Sequence, residues 1–347
     1  MENPSSTTGS CAHCQSPATK RCNGCTGAPE YDKDIPKPTF YCSSVCQTQD
    51  WGEHKTKCKP LQARKSLSRA ANTLQAILYR IRLRAHTVRS ATAVVDGSRV
   101  ILRFTKEDKQ DAYRHLRPLA VEVKGGDQRA FDAIVMISSC TEALLYLFVF
   151  VRDFLSGLCS KIEELTIDVH NPEISIETIN GFPLTTTERH NVYRVTLTNG
   201  EIWVIDPSGA QYGFTECLYT WHDFAKRRLC RSHREDELGY QRVKASQGYV
   251  QCNEHYFLAL EMELLELAPA LDEKIPALTK VCGGNLKLIL QGSHAAFQKA
   301  KNELLDQLDK CVDLCVDEIH SPEQMVKRSL LVNRCIASRM AGSGARQ

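Results

Sequence analysis

Eight residues near the start of this chain have the types and spacing of metal ligands. They are Cys11, Cys14, Cys22, Cys25, Cys42, Cys46, His54 and Cys58, in the pattern C-x2-C-x7-C-x2-C-x16-C-x3-C-x7-H-x3-C. Zinc takes thiolate and imidazole donors, four to an ion in a tetrahedron, and a C-x2-C knuckle puts two sulfurs on one ion. The last two pairs are spaced for one helical turn, since residues four apart share a helix face. Eight ligands fill two four-coordinate sites and leave no position for water or substrate, so the expected zincs are structural. His13, between the first two cysteines, is surplus to that set. The segment has few aliphatic residues and almost no core, so metal binding must supply its folding energy.

Two later places could carry a different chemistry. Ser138-Ser139-Cys140-Thr141-Glu142 precedes an apolar run, and Ser139 with Glu142 has the S-x-x-E spacing of a capping box. Cys140 then falls in the first turn of a helix, where free N–H groups and the helix dipole favour a thiolate. A nucleophilic cysteine also needs a base. The segment from His190 to Pro207 reads as a hairpin turning at Asn199-Gly200. A two-residue turn pairs Thr198 with Glu201 and sets His190 and Asp206 on opposite faces. A three-residue loop with Gly200 left-handed pairs Leu197 with Glu201 and His190 with Ser208, which puts His190 and Asp206 on one face. The second register also gathers Tyr193, Val195, Leu197, Trp203 and Ile205 on one apolar face, so burial favours it. Against a chemical role, Cys140 could be a small buried side chain in an apolar helix. Asp206-Pro207-Ser208-Gly209 is also a good turn in its own right. Tyr219, Trp221, His222 and Asp223 read as packing near the same cleft. Cys311 and Cys315 lie four apart on a charged helix with no histidine at ligand spacing, and read as half-buried packing.

These residues need elements to hold them. From Leu61 to about Arg89 no Gly or Pro intervenes, and Leu67, Ala70, Leu74, Ile77, Leu78 and Ile81 form one apolar stripe at helical spacing. This stretch is also basic: no acidic residue occurs between Glu53 and Asp96, while Lys and Arg recur from Lys55 to Arg89. Such a stripe is either a solvated helix face plus linker or an attractor of acidic partners. Val94 to Leu102 reads as a hairpin around Asp96-Gly97, followed by a helix near 140–158. Strands are expected near 164–169 and 174–179, and helices after 255. The expected organisation is a finger at 11–58, a basic linking helix at 61–89 and a mixed α/β body at 90–340. The fold class is α+β.

Length and composition agree: 347 residues suit about two domains, and 42% hydrophobic content is enough for a core. The net charge of +3 is too small to argue for a partner by itself. Sixteen cysteines would suggest disulfides in a secreted chain, yet Met1 to Ser10 is polar and lacks a signal-peptide core. The longest apolar run, Ala143 to Val151, is nine residues, too short to span a bilayer. Seven cysteines cluster before residue 60 and the rest are scattered, the pattern of metal ligands plus buried thiols. The expected location is intracellular, in the nucleus, the cytoplasm or both, with no membrane segment.

The run from Tyr41 to Cys58, with its cysteine pair, Gln47, Trp51 and H-K-x-x-C, resembles the second half of a MYND-type zinc finger. The resemblance implies cross-braced pairing, with Cys11, Cys14, Cys42 and Cys46 on one zinc and Cys22, Cys25, His54 and Cys58 on the other. It also implies recognition of short, often proline-containing peptides in a groove that includes Gln47 and Trp51, although Trp51 also suits a core plug. The gap from Cys25 to Cys42 is longer than the family's habit, and Pro29, Pro36 and Pro38 suggest an extended surface loop. A cysteine at a helix start, a histidine opening one strand and an aspartate closing the next is similar to the papain-like transglutaminase superfamily. That likeness lies around 138–213. It implies Cys140 as nucleophile, His190 as base and Asp206 as the group that orients the imidazole. No residue upstream of Cys140 stands out as an oxyanion donor. With Gly209-Ala210-Gln211-Tyr212-Gly213, the chain resembles the MYND-finger proteins of filamentous fungi, a likeness that implies little about activity.

The leading expectation is a non-catalytic adaptor or regulator, of transcription among other processes, that captures a partner peptide on its finger. The rival is a cysteine-dependent acyl-transfer enzyme, hydrolase or transglutaminase-like, which requires Cys140 close to His190. A SET–MYND lysine methyltransferase is disfavoured, because no N-H-S-C-like segment occurs. Direct DNA reading is disfavoured too, because the finger offers no ββα recognition helix.

Overall fold

A computed structural model describes residues 8–88, 90–104, 114–179, 189–247 and 255–343, and the elements below are those of the described residues. The chain opens with four two-residue strands, β1 (Gly9–Ser10), β2 (Pro17–Ala18), β3 (Lys20–Arg21) and β4 (Phe40–Tyr41), paired β1 with β2 and β3 with β4. Helix α1 follows, Ser44–Arg84, 41 residues long. Ser43 caps it, its hydroxyl accepting the Cys46 N–H at 3.1 Å.

The linking helix expected from Leu61 is therefore the second half of a helix that begins inside the finger and passes through Pro60. An interior proline costs about 3 kcal/mol. The buried side chains of Leu67, Leu74, Ile77, Leu78 and Ile81 each contribute about 1.5–3 kcal/mol, so burial wins. The helix stops at Arg84 rather than Arg89. Ala85 leaves helical geometry, and His86 exchanges two backbone hydrogen bonds with Arg117, at 2.8 and 3.1 Å. Arg89 lies outside the described residues.

Beyond Pro60 the basic face of α1 is not a solvated face, whereas Lys55, Lys57 and Lys59 before it are exposed. Arg64, Arg69 and Arg82 are buried. Arg64 meets Asp34 at 2.6 Å and Glu201 at 2.8 Å, Arg82 meets Glu142 at 2.6 Å, and Arg80 and Arg84 pair with Asp309. The missing acids are supplied by other elements, a tertiary complementarity that no local stretch displays.

After α1 come β5 (Ala91–Asp96), β6 (Arg99–Phe104), β7 (Val121–Val123), α2 (Gln128–Met136), α3 (Cys140–Tyr146), α4 (Phe148–Leu155), β8 (Cys159–Val169) and β9 (Ser175–Ile179). The β5–β6 hairpin sets Asp96 opposite Arg99, with Gly97 left-handed at φ +61°. Strands β7 and β9 add to it in parallel, giving the order β7-β5-β6-β9, with α2 packed on one face. The helix expected near 140–158 is broken into α3 and α4 at Leu147.

The remaining elements are β10 (Arg189–Leu197), β11 (Ile202–Ile205), β12 (Leu218–Thr220), α5 (Trp221–Arg227), β13 (Leu229–Glu237), α6 (Tyr240–Gln247), α7 (His255–Val281), α8 (His294–Ile319) and α9 (Pro322–Ser343). A fully antiparallel sheet runs β12-β11-β10-β8-β13. Tyr193, Val195, Leu197, Trp203 and Ile205 point from it into the largest core, shared with α1, α3, α4, α7 and α8. Leu165, Ile167, Val192 and Val204 fill the other face with Tyr212 and Phe214. Cys315 is buried and Cys311 half-buried in the large core, as packing. Tyr219 packs on Phe224, while Trp221 lies under Arg194 and His222 is exposed.

Finger and sheet are joined through Tyr31, beside the Arg64 bridge from Asp34 to Glu201. The loop between Cys25 and Cys42 is largely exposed, as its prolines suggest, but Tyr31 is anchored. Its ring centroid lies 5.2 Å from that of Trp203, and its hydroxyl accepts the Ile202 N–H at 3.1 Å. The C-terminal helices are tied by Glu263, wholly buried in α7, which takes bonds from the backbone of His115 and Leu116 and from His115, His320 and Arg328. Among the described residues no helix is long and apolar enough to cross a membrane.

Candidate zinc centres and a candidate thiol site

The eight cysteine and histidine ligands form two clusters: Cys11, Cys14, Cys42 and Cys46 in one, Cys22, Cys25, His54 and Cys58 in the other. This is the interleaved pairing expected from the resemblance. Within each cluster the donor atoms lie within 4.8 Å of one another. Zinc–sulfur bonds of about 2.3 Å in a tetrahedron give sulfur–sulfur edges of about 3.8 Å. The observed separations are 3.5 Å for Cys14–Cys42, 3.4 Å for Cys42–Cys46, 3.8 Å for Cys14–Cys46 and 3.8 Å for Cys22–Cys58. His54 turns Nε2 towards Cys25, 3.7 Å from its sulfur. The residues fit two zinc ions, each closed by four protein ligands. His13 is exposed and belongs to neither cluster. α1 carries Cys46, His54 and Cys58, so one helix serves both ions. Trp51 is 39% exposed beside His54, and Gln47 is half-buried one turn earlier.

In the body, β10 and β11 adopt the three-residue loop register. Tyr193 faces Ile205 and Val195 faces Trp203, the Leu197 N–H donates to Glu201 O at 2.8 Å, and Gly200 is left-handed at φ +90°. His190 and Asp206 thereby share a face, and His190 Nε2 lies 2.9 Å from Asp206 Oδ1. Both side chains are wholly buried. The Asp206 N–H donates to Cys217 O at 2.9 Å, and a Cβ at Gly209 would stand 2.6 Å from Asp206 Oδ2. Only glycine at 209 leaves that carboxylate where it is. The Tyr212 ring meets the imidazole edge-on at 4.9 Å.

Cys140 opens α3 and is half-buried. The turn before it places Ser138 in the left-handed region at φ +55°, a strain of about 1–2 kcal/mol for a residue with a Cβ. The expected capping box does not form. Ser139 sits at the N-cap position, but its hydroxyl donates to Met136 O at 2.7 Å, and Glu142 is drawn away by the buried Arg82. The thiol stands close enough to the His190 imidazole for each to perturb the other's protonation. With Nε2 given to Asp206, Nδ1 is the ring's other nitrogen, and the Gln211 amide nitrogen stands 3.4 Å from it. Asn191 Nδ2 lies 3.8 Å from the sulfur and donates to Thr141 Oγ1 at 3.0 Å, while its Oδ1 accepts the Thr166 hydroxyl at 2.9 Å.

Burial pushes the Cys140 thiol up, but the neighbouring His190 ring outweighs it and holds the thiol below its ordinary value. Burial opposes the charge on His190, and the Asp206 carboxylate, aided by Cys140, overrides it and raises the imidazole to about 10. The combined direction is a thiolate beside an imidazolium. Asn191 and Gln211 carried no assignment in the sequence. Alternation along β10 sets Asn191 on the face opposite His190, and only the fold swings α3 over the strand end so that Cys140 meets both.

No curated protein matches this chain, and no solved structure does. Residues 11–58 match the family model of the MYND finger, a zinc-binding domain that mediates protein–protein interaction.

Proposed function

We propose that this chain recruits a protein through its MYND finger and performs cysteine-dependent acyl transfer with Cys140, His190 and Asp206. The observation that carries the reading is the convergence of a half-buried thiol, held below its ordinary value, and a buried imidazole held by a carboxylate at 2.9 Å. The Cys140 thiolate attacks an acyl carbon, and the electron pair of the carbonyl moves onto oxygen. As the tetrahedral species collapses, His190 gives its proton to the leaving amine and a thioester remains on Cys140. Water or a second amine then attacks the thioester, surrenders a proton to His190 and releases the sulfur. Asp206 keeps the imidazole in one orientation throughout. The side-chain amides of Asn191 and Gln211 are the nearby N–H donors for the oxyanion.

Alkylation tests the site without a known substrate. Thiolate is lost as pH falls through the lowered value of Cys140, and imidazolium is lost as pH rises through about 10 at His190, so the pair persists between them. An ordinary thiol near 8.5 is about 0.3% thiolate at pH 6. A low-pKa thiolate gives back part of that advantage through weaker intrinsic nucleophilicity. The net expectation is alkylation of Cys140 at pH 6 about tenfold faster than in His190→Ala, read by mass spectrometry with the exposed Cys230 as internal reference. Equal rates in the two proteins would end the reading.

A second reading draws on the complete burial of His190 and Asp206, which leaves only the thiol edge for a substrate. In it the body is a scaffold without turnover, and the chain is an adaptor in processes such as transcriptional regulation. In either reading the finger takes a proline-containing peptide across Gln47 and the exposed Trp51. Trp51→Ala should keep both zincs and weaken capture of a proline-rich peptide about tenfold or more, measured by fluorescence anisotropy. Unchanged affinity would move the groove elsewhere.

A further inference from the structure

Beyond Pro60, Arg64, Arg80, Arg82 and Arg84 of α1 are consumed by ion pairs, but Lys65 and Arg69 are not. Lys65 donates to Asn23 O at 2.6 Å, and Arg69 donates to Leu290 O and Gly292 O at 2.8 and 3.1 Å. Lys301 of α8 lies over the Phe297 ring, 5.7 Å from its centroid. Among the described residues none of the three meets a carboxylate. All three line one groove of about 510 Å³, walled by the finger knuckle at Asn23 to Gly27, by α1 and by the first turns of α8. No Asp or Glu lines it. The zinc centre behind the knuckle, three thiolates and a neutral imidazole around a divalent ion, carries about one negative charge, well short of the three positive ones.

Asn72 and Lys301 also line a second cavity of about 370 Å³, which continues along α1 to Ala210 and Gly213, just beyond Asp206. Its further cations, Arg80 and Arg129, are already paired, with Asp309 and Glu173, so the unbalanced charge stays at the knuckle end.

We propose that this groove, between the finger knuckle and the start of α8, docks an acidic, extended segment of a protein partner. The surface is distinct from Gln47 and Trp51 and does not depend on the thiol chemistry. Charge complementarity selects the occupant: desolvated cations without counter-ions bring an acidic segment in and fix its register. A single nucleic-acid strand fits the chemistry less well, because such strands are held by bases stacked on open aromatic faces. Of the two rings that line the groove, Phe297 is buried beneath Arg69 and Lys301, which leaves the single imidazole of His294 open, too little for successive bases to stack on.

The test uses the full zinc-loaded chain and a short fluorescein-labelled peptide alternating Glu and Ser. Its Gln-for-Glu counterpart and a single-stranded oligonucleotide of equal charge serve as comparators. Lys65 and Lys301 are half-buried at the rim, Lys65 bonded to one knuckle carbonyl and Lys301 lying over Phe297 of its own helix, whereas Arg69 ties down both Leu290 and Gly292. The native chain should bind the acidic peptide and not the Gln version. The Lys65→Ala/Lys301→Ala double variant, its zinc content and far-UV spectrum unchanged, should bind about tenfold more weakly. The matching Lys→Arg double variant should retain binding. No binding by the native chain, a loss smaller than about fivefold in the alanine variant, or tighter binding of the oligonucleotide through the same lysines would each overturn the proposal.

Discussion

Stripping metal from the protein with a strong chelator should release two zinc ions per chain and unfold residues 11–58 while most of the remaining secondary structure survives. Each cluster offers four donors and closes its ion completely. Structural zinc sites of this kind contribute about 10–16 kcal/mol each at neutral pH, more than the stability of a typical domain. The finger's own core is small: its buried residues are chiefly the ligand cysteines with Ala18, Phe40 and Tyr41. Without metal the thiols reprotonate and nothing of comparable size replaces the lost free energy. α1 predicts where melting stops. Its first part carries Cys46, His54 and Cys58, whereas from Leu67 onward its apolar stripe is locked in the large core. The far-UV signal should therefore lose only the helix before Pro60. Trp203 reports the same event from the other side, because Tyr31 leaves its ring when the loop is released and the fluorescence should shift to the red. Cys22→Ser should drop the zinc content from two to one or fewer. A single zinc in the native protein, or an unchanged content in that variant, would contradict the two-site account.

Replacing Glu263 by alanine should cost about 3–5 kcal/mol of unfolding free energy, measured by urea denaturation. The carboxylate is wholly buried and accepts from two backbone N–H groups, from His115 and His320 at 3.0 Å each, and from Arg328 at 3.0 Å. Alanine leaves a fully buried guanidinium facing a void and strands the backbone donors. Arg328 keeps its bond to Glu266, which limits the loss. Exchanging Glu263 and Arg328 together for methionine should cost less than Glu263→Ala alone, because no buried charge is then left unpaired. The pH dependence has a definite sign. Burial raises the Glu263 carboxyl, but His115, His320 and Arg328 outweigh it and hold it at about 2. A depressed carboxylate stabilises the fold above its unfolded value near 4.3, and the contribution fades as pH falls towards 2. Native protein should lose stability across that window and Glu263→Gln should lose less. A cost for Glu263→Ala below about 1 kcal/mol would show that the cluster holds little together.

The sequence carried no hint of this cluster. Glu263 lies among Leu258, Met262 and Leu264 on a helix with other glutamates, and nothing local marks it as the one turned inward. Its partners come from the segment before β7 and from the α8–α9 junction, far apart in the chain. The basic run on α1 was visible as charge yet misleading as surface, for the same reason: Glu142, Glu201 and Asp309 reach it only after folding. The capping box at Ser139 was a sound local motif that lost Glu142 to the buried Arg82, because a desolvated guanidinium needs a carboxylate more than the cap's neutral N–H does.

What the sequence determined by itself is whatever short-range chemistry dictates. Ligand spacing named the eight zinc donors, because a knuckle or a helical turn fixes where two sulfurs point. Period-two burial chose the hairpin register, because a slip of one residue would have put Asp206 into the apolar face, and so it set His190 and Asp206 side by side. The tertiary structure decided the rest. It passed one helix through Pro60, since a buried stripe outweighs a missing hydrogen bond. It laid Tyr31 of the finger on Trp203, joining two parts that local patterning treats as separate. It also carried Cys140 to the end of β10, where the thiol meets an imidazole fifty residues away in the chain. Contacts of that range depend on how whole elements pack, and spacing along a chain holds no record of packing.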